Sequence, residues 1–247
     1  MKVKSLLTAL ASAVVISLGS VATTQAAILA DIIWVIDTSG SMGDDINQVK
    51  QRIVDFNTAM TGNNIDAQYG LVRFGGTASL IQDITSFATF NAAGSPFQLL
   101  TDNGGGTEDG SAAIQIALGA SFRPDTVRNI ILITDEDDDN SSNRTNLNTA
   151  LAGTSANELI NVIGNPNDDS NNYYRDLAPA NGGLFFNILD FRDNPAAFFT
   201  NFINTKVKEI INEGGGGNNN VPEPASLMLM GVGIAGLSMM RRRKKTS

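Results

Sequence analysis

Cysteine and histidine are both absent from this 247-residue chain. Without cysteine, no disulfide can stabilise the fold. Without histidine, the commonest general base is missing, which excludes His-based catalytic triads and most zinc sites. The chain still has 42% hydrophobic residues, enough for a sizeable core. The composition is therefore that of a globular protein whose chemistry does not depend on thiols or imidazoles.

The N-terminal segment has the features of a secretory signal peptide. Lys2 and Lys4 precede an apolar run from Leu6 to about Leu18, and small residues follow it up to Ala26. The alternative is a short membrane anchor, but the run is too short to cross a hydrocarbon core of roughly 30 Å. We therefore predict that residues 1–26 form a signal peptide that is cleaved near Ala26.

The C-terminal segment has three parts. Pro222, Glu223 and Pro224 precede the apolar stretch 225–240, and a basic cluster at 241–245 follows, which the positive-inside rule would keep cytoplasmic. This arrangement resembles the PEP-CTERM sorting signal of Gram-negative bacteria, which implies cleavage near Pro-Glu-Pro by a membrane exosortase. A plain C-terminal membrane anchor is the alternative.

These assignments predict an exported protein. The resemblance places residues 221–247 in the sorting signal, with a membrane-embedded segment before cleavage, and residues 214–220 form a Gly/Asn-rich stretch that reads as a flexible linker. We expect export through the inner membrane of a Gram-negative bacterium to the cell surface or to an extracellular polysaccharide matrix.

The remaining part of the chain is strongly acidic. Residues 27–221 keep 10 of the 17 basic residues and 24 of the 25 acidic residues, which gives a net charge near −14. Such a surface repels phosphate backbones and anionic lipids, so nucleic acid is excluded as an expected partner. It suits divalent cations, and it suits cationic or neutral glycan partners.

One stretch near the start of the mature chain combines a strand with oxygen ligands. The five apolar residues 32–36 are short, branched and aromatic, as in a strand buried on both faces of an α/β sheet. Ligands usually bind where such strands end. Asp37, Ser39 and Ser41 would place one carboxylate and two hydroxyls on one loop, and Mg²⁺, Mn²⁺ and Ca²⁺ prefer these hard oxygen ligands.

Strand-like and helix-like segments alternate along the rest of the chain. The pattern predicts an α/β doubly wound fold, with a mostly parallel central sheet flanked by helices. Further strands are predicted at 67–74, 79–84, 128–134, 159–164 and 184–188. Helices are predicted at 42–60, 90–100, 108–122, 144–151, 173–178 and 195–213.

Three parts of the sequence together resemble the von Willebrand factor type A (VWA) domain with its metal-ion-dependent adhesion site. The first part is the loop with Asp37, Ser39 and Ser41. The second is Thr107 in a glycine-rich loop, and the third is Asp135 at the end of a predicted strand. All three occur in the family's order, and the resemblance assigns residues 27–213 to one VWA domain.

The resemblance implies a divalent cation at the carboxyl edge of the sheet. Asp37, Ser39 and Ser41 would be direct ligands, and Thr107 and Asp135 would bind directly or through water. Mg²⁺ is the leading candidate, with Ca²⁺ and Mn²⁺ as alternatives. A cation held by few carboxylates keeps positive charge and open water positions, so a partner's carboxylate could complete its coordination.

Other interpretations of these segments fit less well. The glycine-rich residues 102–106 lack the Gly-Lys-Ser/Thr of a phosphate loop, and Glu108 and Asp109 place negative charge where phosphate would bind. Thr107 could instead cap the following helix. An EF-hand starting at Asp135 would have Asn at its sixth and twelfth positions, where Gly and Glu are expected. We expect residues 136–139 to form a solvated acidic loop beside the metal site.

Three functions follow from these features. The first is an exported domain that binds an extracellular protein or glycan through a metal ion. The second is a passive structural protein of the matrix that keeps the fold without metal-dependent adhesion. The third is a haloacid-dehalogenase-type enzyme, but its nucleophile motif needs a second aspartate where this chain has Ser39. We therefore expect no enzyme.

Overall fold

The computed structural model describes residues 26–153 and 158–216, and it describes side chains up to residue 214. Six strands form one sheet in the order β3-β2-β1-β4-β5-β6, and all neighbours are parallel except β2 and β3. The strands are β1 Ile28–Asp37, β2 Ile65–Phe74, β3 Ser79–Ser86, β4 Val127–Ile133, β5 Glu158–Gly164 and β6 Phe185–Asn187. The predicted doubly wound α/β architecture is confirmed.

Helices cover both faces of the sheet. They are α1 Gly43–Gly62, α2 Phe87–Phe90, α3 Pro96–Leu99, α4 Gly110–Leu118, α5 Ser141–Ala152, α6 Tyr173–Ala180, α7 Ile188–Asp193 and α8 Pro195–Gly216. A short 3-10 turn, Gly40–Met42, leads from the first loop into α1. No helix in the part of the chain that the structure describes is long and apolar enough to cross a membrane.

The central strand β1 divides the hydrophobic core into two layers. Successive side chains of a strand point to opposite faces of a sheet, so Ile32 and Trp34 alternate with Ile33 and Val35. The first pair packs with the residues of α1 and α8, and the second pair packs with those of α4 and α6. Because β1 is covered on both sides, its apolar run is continuous rather than alternating with polar residues.

The strand order places a ligand-binding edge beside the end of β1. From β1 the chain passes to β2 and β3 on one side, and from β4 to β5 and β6 on the other. The order therefore reverses between β1 and β4, and open α/β sheets bind ligands at such a switch point. In the register, Ile36 lies opposite Ile133 and Asp37 lies opposite Phe74. The loops that follow these three strands must meet.

The region after β5 departs from the sequence prediction in one respect that matters for the site. A strand was predicted at 184–188, but β6 ends at Asn187 and the helix α7 begins at once. The side chain of Asn187 accepts a hydrogen bond from the backbone N–H of Leu189 at 2.9 Å. This side-chain cap satisfies a donor at the start of the helix, and it turns the chain into α7 where an apolar run had suggested a longer strand.

The last helix extends further than its composition suggests. It continues to Gly216, so it includes the first residues of the segment 214–220 that was predicted as a flexible linker. A Cβ at Gly214 would overlap the side chain of Ile28 and approach that of Val127. In the extra turn, the backbone of Gly214 therefore packs directly against the amino-terminal ends of β1 and β4. Residues 217–220 lie outside the described residues.

A buried lysine lies between α8 and the sheet. Lys206 has no exposed surface, and its Nζ donates to Glu209 Oε2 at 2.6 Å and to the side-chain oxygen of Asn161. The ammonium also lies 4.8 Å from the ring centroid of Phe186, within the range of a cation–π interaction. Burial lowers the pKa of Lys206 to about 8, although Glu209 opposes this change.

Candidate metal centre

Asp37 is the last residue of β1 and is fully buried at the switch point. Its Oδ1 accepts a hydrogen bond from the backbone N–H of Ser39 at 2.8 Å, and its Oδ2 accepts one from the hydroxyl of Thr134 at 2.8 Å. Desolvation raises the pKa of Asp37, the hydrogen bonds from Ser39 and Thr134 oppose that rise, and the negative charge of Asp135 adds to it. A nearby cation would stabilise this buried carboxylate.

Two hydroxyls and a second carboxylate lie close to Asp37. Ser39 and Ser41 follow it in the chain, and Asp135 follows the neighbouring strand β4. The hydroxyl oxygens of Ser39 and Ser41 are 3.3 Å apart. The hydroxyl of Ser41 donates to Asp135 Oδ1 at 2.9 Å, although 94 positions separate the two residues. The structure therefore brings together four of the five predicted ligands, Asp37, Ser39, Ser41 and Asp135. Their binding of a metal ion stays a prediction.

The fifth predicted ligand, Thr107, belongs to a loop whose backbone is fixed to the same site. Gly105 forms an isolated parallel bridge with Ser39, and the N–H of Asn103 donates to the carbonyl of Thr38 at 2.8 Å. The carbonyl of Thr107 accepts from the N–H of Gly76 at 2.9 Å. Its side chain is exposed and, within the described residues, makes no hydrogen bond to the other four predicted ligands.

The interpretation of Thr107 as a helix cap is wrong. Helix α4 begins only at Gly110, and its cap is Asp109, whose side chain accepts from the N–H of Ala112 at 2.9 Å. Asp is as good a cap as Ser or Thr because its oxygen satisfies a free N–H of the first turn. Thr107 thus lies before the cap, on the loop itself.

Two glycines allow the loops to approach this closely. A Cβ at Gly105 would overlap the carbonyl group of Gly75. Gly75 itself has φ +94°, which favours glycine, and a Cβ there would lie 2.9 Å from Asp37 Oδ1 and 2.7 Å from the backbone nitrogen of Ser39. Only glycine at both positions lets the Thr107 loop pack against Asp37 and Ser39.

An arginine that the sequence analysis did not identify completes the group. Arg192, near the end of α7, donates from Nη2 to Asp135 Oδ2 at 2.8 Å and to Asp45 Oδ2 at 2.5 Å. Its Nε donates to Asp45 Oδ2 at 3.0 Å. These two carboxylates raise the pKa of Arg192, so it stays charged. Asp45 belongs to the first turn of α1 and is 147 positions away, a separation that no local pattern reveals.

Two further carboxylates, those of Glu108 and Glu136, interact electrostatically with Asp37. Glu108 is 4% exposed, and burial together with repulsion from Glu136, Asp37 and Asp139 raises its pKa to about 7. Burial and the charge of Asp135 likewise raise the pKa of Glu136. Carboxylates whose charged forms are disfavoured by one another mark a region of excess negative potential. The electrostatics of this edge of the sheet therefore favour a cation.

Two protein-family models match the chain. The family model described as von Willebrand factor type A domain matches residues 31–201. The chain belongs to the VWA family. A second model, the PEP-CTERM protein-sorting motif, matches residues 220–244. This motif implies processing by an exosortase and export to the bacterial cell surface or the extracellular space. No curated protein sequence matches the chain significantly.

Solved VWA structures share the fold at low sequence identity. A von Willebrand factor type A structure from Catenulispora acidiphila has a TM-score of 0.55 at 20% identity, covering 74% of this chain and 43% of its own. The conserved hypothetical protein BatB from Bacteroides thetaiotaomicron has a TM-score of 0.54 at 17% identity, and the match covers 73% of this chain and 98% of BatB. Proximal thread matrix protein 1 from the mussel byssus, whose metal-ion-dependent adhesion site (MIDAS) motif is occupied by zinc, has a TM-score of 0.53 at 17% identity. The match covers 73% of this chain and 46% of the mussel protein. This chain thus spans less than half of two of these proteins.

The acidic run that follows Asp135 in this VWA domain differs from expectation at one residue. Residues 136–139 were predicted to be a solvated loop, and Glu136 and Asp139 are exposed as expected, but Asp138 is only 2% exposed. It accepts hydrogen bonds from the N–H of Ser111 at 2.7 Å, from Arg144 Nε at 3.1 Å and from the hydroxyl of Tyr174 at 3.2 Å. A buried carboxylate is stable only with such partners, and burial cannot be read from a run of acidic letters.

Asp139 has a related structural role. Its Oδ2 accepts from the N–H of Glu108 at 2.9 Å, and its own N–H donates to the carbonyl of Glu108 at 3.0 Å. Asp138 and Asp139 therefore connect the loop after β4 to the Thr107 loop and to the start of α4. This part of the acidic run therefore helps to fix the position of the loops at the candidate metal centre.

The residues present fit a hard divalent cation. The hydroxyls of Ser39 and Ser41 and the carboxylate of Asp135 form one hydrogen-bonded group, and the carboxylate of Asp37 accepts from the backbone N–H of Ser39. The third hydroxyl, that of Thr107, is on the adjoining loop. In residues 26–153 and 158–216, no three acidic side chains are grouped so that they alone could hold a metal ion. The donor set is thus mixed, and such oxygen donors suit Mg²⁺, Mn²⁺ or Ca²⁺.

Proposed function

We propose that this VWA domain binds one divalent cation and uses it to hold an extracellular protein or glycan. Mg²⁺ is the leading candidate, with Ca²⁺ or Mn²⁺ as alternatives. The observation that carries the proposal is the hydrogen bond between Ser41 and Asp135, because it joins the loop after β1 to the loop after β4 at the switch point. The fixed orientation of the buried carboxylate of Asp37 adds to it.

Each residue has a definite part in this proposal. Asp37, Ser39 and Ser41 would hold the cation directly, and Thr107 and Asp135 would hold it directly or through water. The bound cation would supply an open position for a ligand carboxylate. Thr134 and the N–H of Ser39 orient Asp37, and Gly75 and Gly105 keep the Thr107 loop close. The proposed activity is binding, and it needs no catalytic group.

Export and sorting give the binding site its surroundings. We propose that residues 1–26 direct export, that the domain occupies 27–213, and that an exosortase in a Gram-negative cell cleaves near Pro222, Glu223 and Pro224. The predicted signal peptide, apart from Ala26, the sorting motif and the segment 225–240 all lie outside the described residues. The mussel neighbour, a thread matrix protein with a zinc-occupied MIDAS motif, shows that the same fold can hold a divalent cation.

A second candidate function is a passive structural role in the matrix. One observation favours it: Asp135 is already ion-paired with Arg192, so the loops are held together without any metal ion. A protein of this kind would be retained in the matrix through its fold and surface alone. The two candidates differ in whether retention depends on the cation.

The test measures metal binding first and retention second. Calorimetric titration of the exported protein with Mg²⁺, Mn²⁺ and Ca²⁺ should show a single site, which Asp37→Ala should abolish while circular dichroism shows a folded domain. Pull-down from native extracellular matrix should then succeed with the preferred cation and fail with chelator. Unchanged titration in Asp37→Ala would refute the metal site. Equal retention of wild type and Asp37→Ala, with and without chelator, would favour the passive role.

A further inference from the structure

We propose that Arg192 is an internal cation that holds Asp135 in the metal-free site and thereby lowers the affinity of the site for divalent cations. The inference rests on the metal site proposed above. In the described part of the chain, Arg192 is the one basic side chain that is ion-paired with a predicted ligand.

The contacts of Asp135 show why metal binding and Arg192 are linked. Its Oδ1 accepts from the hydroxyl of Ser41 at 2.9 Å, and its Oδ2 accepts from Arg192 Nη2 at 2.8 Å. Both oxygens are therefore engaged within the protein. Each oxygen keeps a second acceptor position, but the charge of the adjacent guanidinium and the fixed orientation of the carboxylate oppose the approach of a cation.

Asp45 allows Arg192 to release Asp135 without losing every partner. Its side chain is 4% exposed, and both of its oxygens accept from Arg192, Oδ1 from Nε at 3.2 Å and Oδ2 from Nη2 at 2.5 Å. Such a two-point contact between guanidinium and carboxylate is both strong and directional. The guanidinium can thus stay on Asp45 while Asp135 turns towards a cation.

The position of Arg192 is also fixed through its backbone. The preceding residue, Phe191, is fully buried, and its ring lies 5.2 Å from that of Phe198 and 5.5 Å from that of Phe199. Helix α7 is therefore packed against the first turn of α8. The guanidinium remains close to Asp135 whether or not the two are in contact, and its charge opposes a second cation there.

Neutralising Arg192 should therefore tighten metal binding. Like charges repel measurably at contact distances even in the dielectric of bulk water, and the effect doubles for a divalent ion. We expect Arg192→Gln to increase the affinity for Mg²⁺ and Mn²⁺ by about tenfold or more. Arg192→Lys keeps the charge but loses the two-point contact, and it should lie between wild type and Arg192→Gln.

A substitution of Asp45 should change the metal affinity in the opposite direction. Asp45→Asn removes the carboxylate that competes with Asp135 for the guanidinium, so Arg192 should bind Asp135 more strongly and metal affinity should fall. If Asp45 acts through Arg192, this fall should largely disappear when Asp45→Asn is made together with Arg192→Gln. Such a double-mutant cycle separates the coupling from the general effect of removing a negative charge.

The experiment is calorimetric titration of the exported protein with Mg²⁺ alone and with Mn²⁺ alone. The matched control is Arg128→Gln: Arg128 is ion-paired with Glu158 at 2.9 Å but lies at the other end of β4. We expect wild-type affinity in this control. Thermal melts of each variant check that it folds. If Arg192→Gln does not fold, the metal affinity of Arg192→Lys is compared with that of wild type instead.

The outcomes separate this inference from the proposed function. Tighter binding in Arg192→Gln and weaker binding in Asp45→Asn support the inference. Equal or weaker binding in Arg192→Gln overturns it but leaves the metal site in place. Absence of binding in wild type and in every variant overturns the metal site and the inference together.

Discussion

The hydroxyl of Thr134 donates to Asp37 Oδ2 at 2.8 Å and so connects the ends of β4 and β1 across 97 positions of sequence. Together with the N–H of Ser39 on Oδ1, it leaves neither oxygen of the buried carboxylate without a donor. The same hydroxyl accepts from the N–H of Glu136 at 3.3 Å. Thr134 therefore orients the central residue of the candidate site without itself being a predicted ligand.

Replacing Thr134 with valine tests this role. Thr134→Val keeps the shape but leaves Asp37 Oδ2 without its donor, so we expect a loss of about 1–3 kcal/mol in the free energy of unfolding. Metal affinity should fall about tenfold or more, as for other residues that orient metal ligands. Thr126→Val is the control, because the hydroxyl of this buried threonine has only a weak 3.5 Å contact in the described structure. Equal effects of the two substitutions would contradict the prediction.

Asp138 offers a test of the buried acidic run. Asp138→Asn replaces one acceptor oxygen with a donor and removes the charge that pairs with Arg144. We expect destabilisation of about 1–3 kcal/mol, since a buried donor such as the N–H of Ser111 loses its partner. Chemical denaturation measures this value. The exposed Asp176 on α6 gives the matched control, Asp176→Asn, which should change stability by less than about 0.5 kcal/mol.

The buried lysine predicts a specific pH dependence. Lys206 has a pKa of about 8 in the folded protein and an ordinary value of 10.5 when exposed. Between these two pH values the unfolded chain binds a proton that the folded chain does not, so this group makes stability rise with pH there. Lys206→Met removes the contribution.

The corresponding measurement is denaturant unfolding of wild type and Lys206→Met at several pH values above 7. The free energy of wild type minus that of the variant should increase from about pH 8 upwards, with a slope of at most about 1.4 kcal/mol per pH unit. The exposed Lys208 on α8 supplies the control Lys208→Met. Parallel curves for all three proteins would exclude the predicted shift.

Removal of the C-terminal segment can be tested directly in cells. Mass spectrometry of the exported protein should detect peptides of the VWA domain but none from residues 227–247, because an exosortase would cut near Pro-Glu-Pro. Replacing Glu223 with alanine should leave the C-terminal peptides detectable. Recovery of an intact C-terminus from extracellular wild-type protein would rule processing out.

The parts of the site that the sequence predicts well are those that follow from local order. Asp37 ends an apolar run that must be a buried strand, and Asp135 ends another, so parallel strands bring both to one edge. The loop of Ser39 and Ser41 is contiguous with Asp37. Strand assignment and the rule about carboxyl ends place these residues at one edge of the sheet, and the resemblance to the VWA family added that Asp135 shares a site with Asp37.

Arg192 and Asp138 could not be predicted because their partners are distant or their burial is invisible in sequence. The helix that carries Arg192 is six residues long and follows an apolar run, so it reads as the end of a strand. Asp138 lies within a run of acidic residues, which is usually a solvated surface. Its burial depends on Arg144, on Tyr174 and on the start of α4, and only the folded chain shows these partners together.

The packing of Gly214 against Ile28 determines where the chain leaves the domain. Ile28 begins β1 and Asp37 ends it, and ten residues of strand at roughly 3.3 Å each separate them by about 30 Å. The C-terminal end of α8 therefore lies at the end of the sheet opposite the loops of the candidate metal centre. The candidate binding face and the last described turn of the chain are therefore separated by nearly the full height of the sheet, so a tag placed within that turn would not obstruct a partner.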